Sequence, residues 1–476
     1  MSKTLDYFKE ICAIPHGSYN IDAISEYLVS FAEKRNLCYR RDEAKNVIIF
    51  KEASKGYENE PGIIIQGHMD MVAVKTDECK LDMEKEGLIL KEENGYLYAD
   101  GTSLGGDDGI AVAYALEILD DTILHPALEC IFTVNEEVGM DGAMALDMSD
   151  IKGTKLINID SEEEGVITVS CAGGVCLSAN LRVNGSVPLY GNVFSIEIKG
   201  LKGGHSGTAI HEGRANACIL MGQLLKKLSD NGKINLLDIS GGEKDNAIPK
   251  SAKAFIASDM DEEIFEKTIN DFDLEINEKY KGIEETITIV VTPMIYEKEE
   301  CKLLGDETQT IIEALTSVPD GVIGMCKDID LVETSLNLGR MRIDENGFRL
   351  DFCLRSSVAE EKEKLKESVG TVLAKKGFEL ALSGDYPGWK YREDSPLRDS
   401  FVECYEELYG EKPQVLGVHA GLECGIILSK KENIDAVSVG PNILNIHTTN
   451  EKLDLKSVER TRELLFKVIA KRGKSL

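Results

Sequence analysis

Three short apolar runs in this chain each lead into a residue that can bind a cation. Ile63-Ile64-Ile65 leads into His68, Cys130 to Val134 into Glu136, and Leu156 to Ile159 into Asp160. Continuous apolar runs of this length read as strands buried on both faces, which belong to a largely parallel sheet covered by helices. In such a sheet ligands gather beyond the carboxyl ends of the strands. Two more phrases have the same character: Gly105-Gly106-Asp107-Asp108-Gly109 at the start of an apolar helical pattern, and Asn445-Ile446-His447 far downstream.

The rest of the first third supports the alternation of strand and helix. Asn20 or Asp22 is placed to cap a helix with Ile24, Leu28 and Phe31 on one face, and Val47 to Phe50 reads as a strand. Asn94-Gly95 is a hairpin dipeptide between Leu88-Ile89-Leu90 and Tyr96-Leu97-Tyr98. From Asn180 to Asn192 the texture changes to a turn-rich stretch. Alternating strands at 193–198, 253–258 and 286–292 then interleave with helical patterns at 214–230 and 262–280, and a second hairpin turns at Glu345-Asn346-Gly347. These features predict an α/β domain with a mostly parallel sheet covered by helices on both faces, interrupted by an α+β insert. The expected boundaries are 1–184 and 386–476 for the α/β domain and 185–385 for the insert.

A chain of 476 residues is long enough for two or three domains. Its 84 acids against 54 bases give a net charge of -30, which argues against nucleic-acid and anionic-membrane partners. No stretch approaches the ~20 apolar residues of a membrane span, and the first residues lack a basic segment followed by an apolar one. The expectation is a soluble cytoplasmic protein. Its 12 cysteines are dispersed with no Cys-x-x-Cys pair, and read as buried reduced thiols.

Taken singly, the acidic phrases are ordinary: Asp107-Asp108 reads as a helix cap, Glu136-Glu137 as surface, and a lone His68 as structural. Together they are not ordinary, because carboxylates crowded at strand ends without nearby bases repel one another unless a cation neutralises them. Two histidines with three or four carboxylates suit two divalent cations sharing a carboxylate. In an extended His68-Met69-Asp70 the first and third side chains face the same way, so Asp70 is expected to orient His68 through its second nitrogen. Adjacent Glu136 and Glu137 cannot both point at one atom. One is expected to bind a cation while the other moves a proton from the attacking water to the leaving nitrogen. Asp107 is placed to bridge two ions.

With these phrases assembled, Gly67 to Asp70, Ala99 to Ile110, Asn135 to Met140, Ile159 to Gly165 and His419 to Gly425 resemble the aminoacyl-histidine dipeptidases. These are a branch of the di-zinc peptidases that include carnosinases, aminoacylases and tripeptide aminopeptidases. The resemblance implies His68 and Asp160 on one zinc, Glu137 and His447 on the other, Asp107 bridging, Asp70 supporting His68, and Glu136 as general base and acid. It implies a cis peptide bond after Asp107. It also implies that the α/β domain is the catalytic domain and the insert a lid domain in which His205 polarises the scissile carbonyl and Asn246 and Arg355 receive the substrate carboxylate, with His419 and Glu423 at the cleft mouth. Arg340 is an alternative to Arg355, while His211 and Arg214 read as structural.

The reaction so implied is metal-dependent hydrolysis of dipeptides, Xaa-His and other short ones, by a hydroxide bridging two cations. Zinc is the expected metal, with cobalt and manganese as other fits to carboxylate and imidazole. A di-zinc hydrolase of tripeptides or N-acyl amino acids, and a non-catalytic metal-dependent binding protein, are the alternatives. No Gly-x-Ser-x-Gly phrase supports a serine hydrolase. The expected partner is a small peptide, and the resemblance leaves room for a homodimer.

Overall fold

The computed structural model describes residues 3–185, 187–295, 302–327 and 329–472. The chain divides into two compact units. The first comprises Met1–Ser170, Trp389–Gly417 and Leu422–Leu476, and the second comprises Cys171–Gly388 with Val418–Gly421.

The first unit is built on an eight-stranded sheet. Its order is Cys38–Arg41, Val47–Lys51, Leu128–Thr133, Ile63–His68, Lys155–Asn158, Asp435–Ser438, Val166–Cys171 and Gln414–Val418. The four strands from Leu128–Thr133 to Asp435–Ser438 run parallel. These include the continuous apolar runs, and Ile63–His68 and Leu128–Thr133 are buried at every position. Towards the edges the sheet becomes antiparallel, which the apolar pattern does not predict. Cys38–Arg41 and Val47–Lys51 are joined by too few residues for a parallel crossover, so the chain must reverse.

The helix Gly106–Asp120 is buried along nearly its whole length, as its apolar residues on every side require. The helix Asp22–Lys34 does bury Ile24, Leu28 and Phe31, but no side chain caps it. Asn20 instead donates to the Glu84 carbonyl, and Asp22 pairs with Lys45.

A small four-stranded sheet brings the late segments Ile443–Leu444 and Lys452–Asp454 onto the hairpin of Leu90–Glu93 and Tyr96–Ala99. The hairpin turns at Asn94-Gly95, whose φ angles of 52° and 82° are the left-handed pair that this dipeptide accommodates.

The second unit centres on a nine-stranded sheet whose registered pairs are all antiparallel. Gly173–Leu181 lies inside it, between Gly347–Ser356 and Glu379–Tyr386. The helices Ala217–Asn231, Glu262–Lys279, Asp306–Ser317 and Ala359–Lys375 contribute Leu224, Phe272, Ile311 and Leu373 to one apolar core with the sheet residues Ile196, Ile256, Leu336 and Phe352. Most described cysteines are buried, although Cys38 is exposed. Among the described residues no helix is long and apolar enough to cross a membrane.

Candidate metal centre

The strand Ile63–His68 ends on His68, whose side chain is 1% exposed. Its Nε2 lies 3.1 Å from Asp107 Oδ1 and 3.6 Å from Asp160 Oδ1. On the other side of Asp107, His447 Nε2 lies 3.1 Å from Oδ2 and 3.0 Å from Glu137 Oε2. The five ligands expected from the sequence therefore come together as two groups, and each oxygen of Asp107 faces a different imidazole. His68, Asp107 and Glu137 offer donor atoms within 4.8 Å of one another, as do His68, Asp108 and Asp160.

The electrostatics call for positive charge. Burial, reinforced by Asp160 and other neighbouring acids, pushes the carboxyls of Asp108 and Glu136 well above the usual range. Burial also raises Asp160 to about 6, with Asp107 and Glu137 adding to the rise against the pull of His68. Against its burial, Asp107 is held below the usual carboxylate range by His447 and His68. Contacts with Asp107 and Glu137 raise His447 to about 10. Glu137 Oε1 is buried with no protein donor, a position that a cation would complete. Imidazole and carboxylate donors grouped around a shared aspartate thus fit a pair of divalent cations.

The brace on His68 differs from the expectation. Its Nδ1 donates to the main-chain carbonyl of Asp70 at 2.9 Å, while the Asp70 carboxylate lies 3.7 Å away. That carboxylate instead accepts the N–H of Glu136 at 3.1 Å and the hydroxyl of Ser18 at 2.8 Å. Past the end of the strand, alternation no longer dictates where a side chain points. Asp108 does more than cap a helix, since its Oδ2 accepts the His68 N–H at 3.1 Å. A Cβ on Gly67 would sit 2.5 Å from both Asp108 Oδ2 and the Ala111 methyl, so only glycine lets the helix approach this closely. The Asp107-Asp108 peptide bond is cis.

Glu423, expected at a cleft mouth, is completely buried. Its Oε2 accepts from Gln66 Nε2 at 2.5 Å and from Thr133 Oγ1 at 2.6 Å. Gln66 in turn accepts from Asn158 at 2.7 Å. Glu423 thus ties together three strands that carry ligands at their ends. Glu162, on the segment after Asp160, is raised to about 7 by burial and by Asp107 and Asp160.

In the second unit, His205 pairs with Ala247 in a two-residue bridge, and the Ser206 N–H donates to the Asn246 carbonyl. His205 and Asn246 both line an open cavity of about 830 Å³. The N–H groups of Gly207 and Thr208 each donate to His205 Nδ1 at 3.2 Å. Nδ1 therefore acts as an acceptor, which leaves the ring proton on Nε2, and burial with the charge of Arg355 lowers the pKa of the ring. Arg355 is 6% exposed, donates to Tyr386 at 2.8 Å and leaves its buried Nε without a protein partner. Arg340, by contrast, is committed to Asp351 at 2.7 Å. His419 is buried against Ser335 at 2.7 Å and is pushed down to about 4 by desolvation and Arg355. Arg214 pairs with Glu212 and the Gly203 carbonyl.

Sequence reasoning did not single out Glu451, which lies buried beside the Asp107 loop. Its one signal is its place four residues after His447.

The model of peptidase family M20/M25/M40 matches residues 64–471 of this chain. The cytosol non-specific dipeptidase of Escherichia coli K12 is 33% identical over 470 residues, covering 98% of this chain and 96% of that protein. The crystal structure of aminoacylhistidine dipeptidase from Vibrio alginolyticus is similar with a TM-score of 0.94 at 32% identity, over 100% of this chain and 97% of that one. Aminopeptidase PepT from Bacillus cereus, at a TM-score of 0.55 and 18% identity over 98% and 97% of the two chains, shares the fold.

Proposed function

The chain belongs to peptidase family M20/M25/M40, and on that premise we propose how its own residues divide the work of a metal-dependent dipeptidase. Asp107 faces both imidazoles, and this single arrangement carries the reading. His68 with Asp160, and His447 with Glu137, would each hold one cation, with Asp107 shared between them. When bound, the cations supply Lewis acidity that brings a water near neutral pKa and polarises a carbonyl oxygen. Zinc fits these donors, as do cobalt and manganese.

Glu136 takes the proton from the attacking water and hands it to the leaving nitrogen. Burial pushes its carboxyl well above the usual glutamate range, which makes it a stronger proton acceptor than an exposed carboxylate. Its main chain is fixed by Asp70, and unlike Glu137 it forms no ion pair with a histidine among the described residues. His205 carries its proton on Nε2, the donor that an oxyanion role requires. Arg355, buried with an unused Nε, suits the planar carboxylate at the end of a dipeptide, and Asn246 adds a neutral amide for the same group. His419, bonded to Ser335, and Glu423, bonded to Gln66 and Thr133, are buried and brace the elements around the site. The E. coli relative is named for the cytosol, and the same compartment is proposed here.

Dipeptides ending in histidine are the proposed substrates, together with other short dipeptides. The test is a panel of Xaa-His dipeptides, other dipeptides, tripeptides and N-acetyl amino acids. Turnover of dipeptides with a free amino end supports the reading, and turnover of N-acetyl amino acids alone overturns it.

A further inference from the structure

One carboxylate outside the ligand set gathers four consecutive main-chain N–H groups. Glu451 Oε2 accepts from Leu104 at 2.8 Å and Gly105 at 3.1 Å, and its Oε1 accepts from Gly106 at 2.8 Å and Asp107 at 3.4 Å. The residue is 3% exposed. Gly105 has a left-handed φ of 68°, and a Cβ on Gly106 would come within 3.2 Å of Glu451 Oε1, so the glycines shape the loop around this carboxylate.

Glu451 belongs to the same late segment as His447. That segment is pinned at both ends by the small sheet, through Ile443–Leu444 and Lys452–Asp454. One side chain therefore joins the loop that presents Asp107 to the loop that presents His447. The two sides of Asp107 are unequal in their other supports. His68 is buried and braced separately, by the Asp70 carbonyl at Nδ1 and by Asp108 at its main-chain N–H. His447 is 44% exposed in its side chain and sits at a left-handed φ of 59° on a loop.

We propose that Glu451 is a positioning residue that sets the second oxygen of Asp107 against His447 and so determines occupancy of the cation site formed by His447, Glu137 and Asp107. Its carboxylate is engaged by the main-chain N–H groups of Leu104, Gly105, Gly106 and Asp107. Its loss loosens the His447 side, while the His68 side keeps its own braces. This rests on the ligand assignment made above, and the experiment separates the two.

Metal-free protein is titrated with zinc and, separately, with cobalt, following heat of binding and the cobalt absorption bands. The wild type is expected to take up two equivalents; fewer than two overturns the ligand assignment and this inference with it. In Glu451→Gln, where an amide NH₂ opposes two of the donors, the first equivalent is expected near wild-type affinity. The second is expected to weaken roughly 10- to 100-fold, the usual effect of removing an outer partner of a ligand. The zinc concentration for half-maximal turnover should rise by the same factor, with kcat at saturating metal near wild type. Glu451→Asp, which keeps the charge and shortens the reach, should fall between the two, and it carries the same test if the amide variant does not fold. Unchanged binding of both equivalents, or equal weakening of both, overturns the proposal.

Discussion

The Asp70 carboxylate accepts the main-chain N–H of Glu136 at 3.1 Å, while its own carbonyl receives the His68 ring at 2.9 Å. One residue therefore sets both a ligand and the proposed base. Its side-chain role concerns Glu136 more than His68.

Asp70→Ala leaves the carbonyl in place and removes the acceptor for Glu136 and Ser18. We expect kcat to fall roughly 10- to 100-fold, the scale of an outer-shell partner, with both metal equivalents still bound. Kinetics and metal analysis on the same preparation check this. Loss of metal with the activity would mean that the carboxylate serves His68 after all.

Glu423→Ala removes the shortest acceptor of both Gln66 and Thr133, leaving only the 3.3 Å bond from Gln66 to Thr133 and the 3.5 Å contact of Thr133 with the Gly67 carbonyl. Poorly satisfied buried donors cost on the order of 1–3 kcal/mol, so denaturant unfolding should show a clear loss of stability. A rise in KM with unchanged stability would instead assign Glu423 to the substrate's ammonium group.

Asp320, in the second unit, accepts from the Leu338 N–H at 3.2 Å and from Asn216 at 3.1 Å. Burial nevertheless raises its carboxyl from an ordinary 3.8 to about 7. Because the folded value is the higher one, the folded state holds the proton more tightly. The stability this contributes is complete below about pH 4 and is lost as pH rises through about 7. Asp320→Asn removes that dependence. The melting temperature of the variant relative to wild type should climb between pH 5 and pH 8; a flat difference would contradict the shift.

The strand-end rule made His68, Glu136 and Asp160 legible from the sequence, because buried parallel strands leave an apolar signature that stops where the site begins. His447 has no such signature. Its phrase stands out in the sequence, but it lies 340 residues from Asp107, and only the resemblance and the small sheet on the Asn94-Gly95 hairpin bring the two residues together. The antiparallel edge was hidden because Cys38-Tyr39-Arg40-Arg41 is largely exposed and carries no apolar alternation. The brace on His68 comes from a main-chain carbonyl, an acceptor that every residue possesses and no pattern marks. Glu451 was hidden for a related reason, since its four partners are all backbone N–H groups.

In the proposed division of labour Glu136 moves the proton while His68, Asp107, Glu137, Asp160 and His447 hold the cations. Turnover of an Xaa-His dipeptide and metal content, measured together in Glu136→Gln, separate the two roles. We expect two equivalents of metal per chain, as in wild type, with kcat reduced by a factor on the order of 100 to 10,000. Wild-type turnover in this variant, or loss of activity that follows loss of metal, would contradict it.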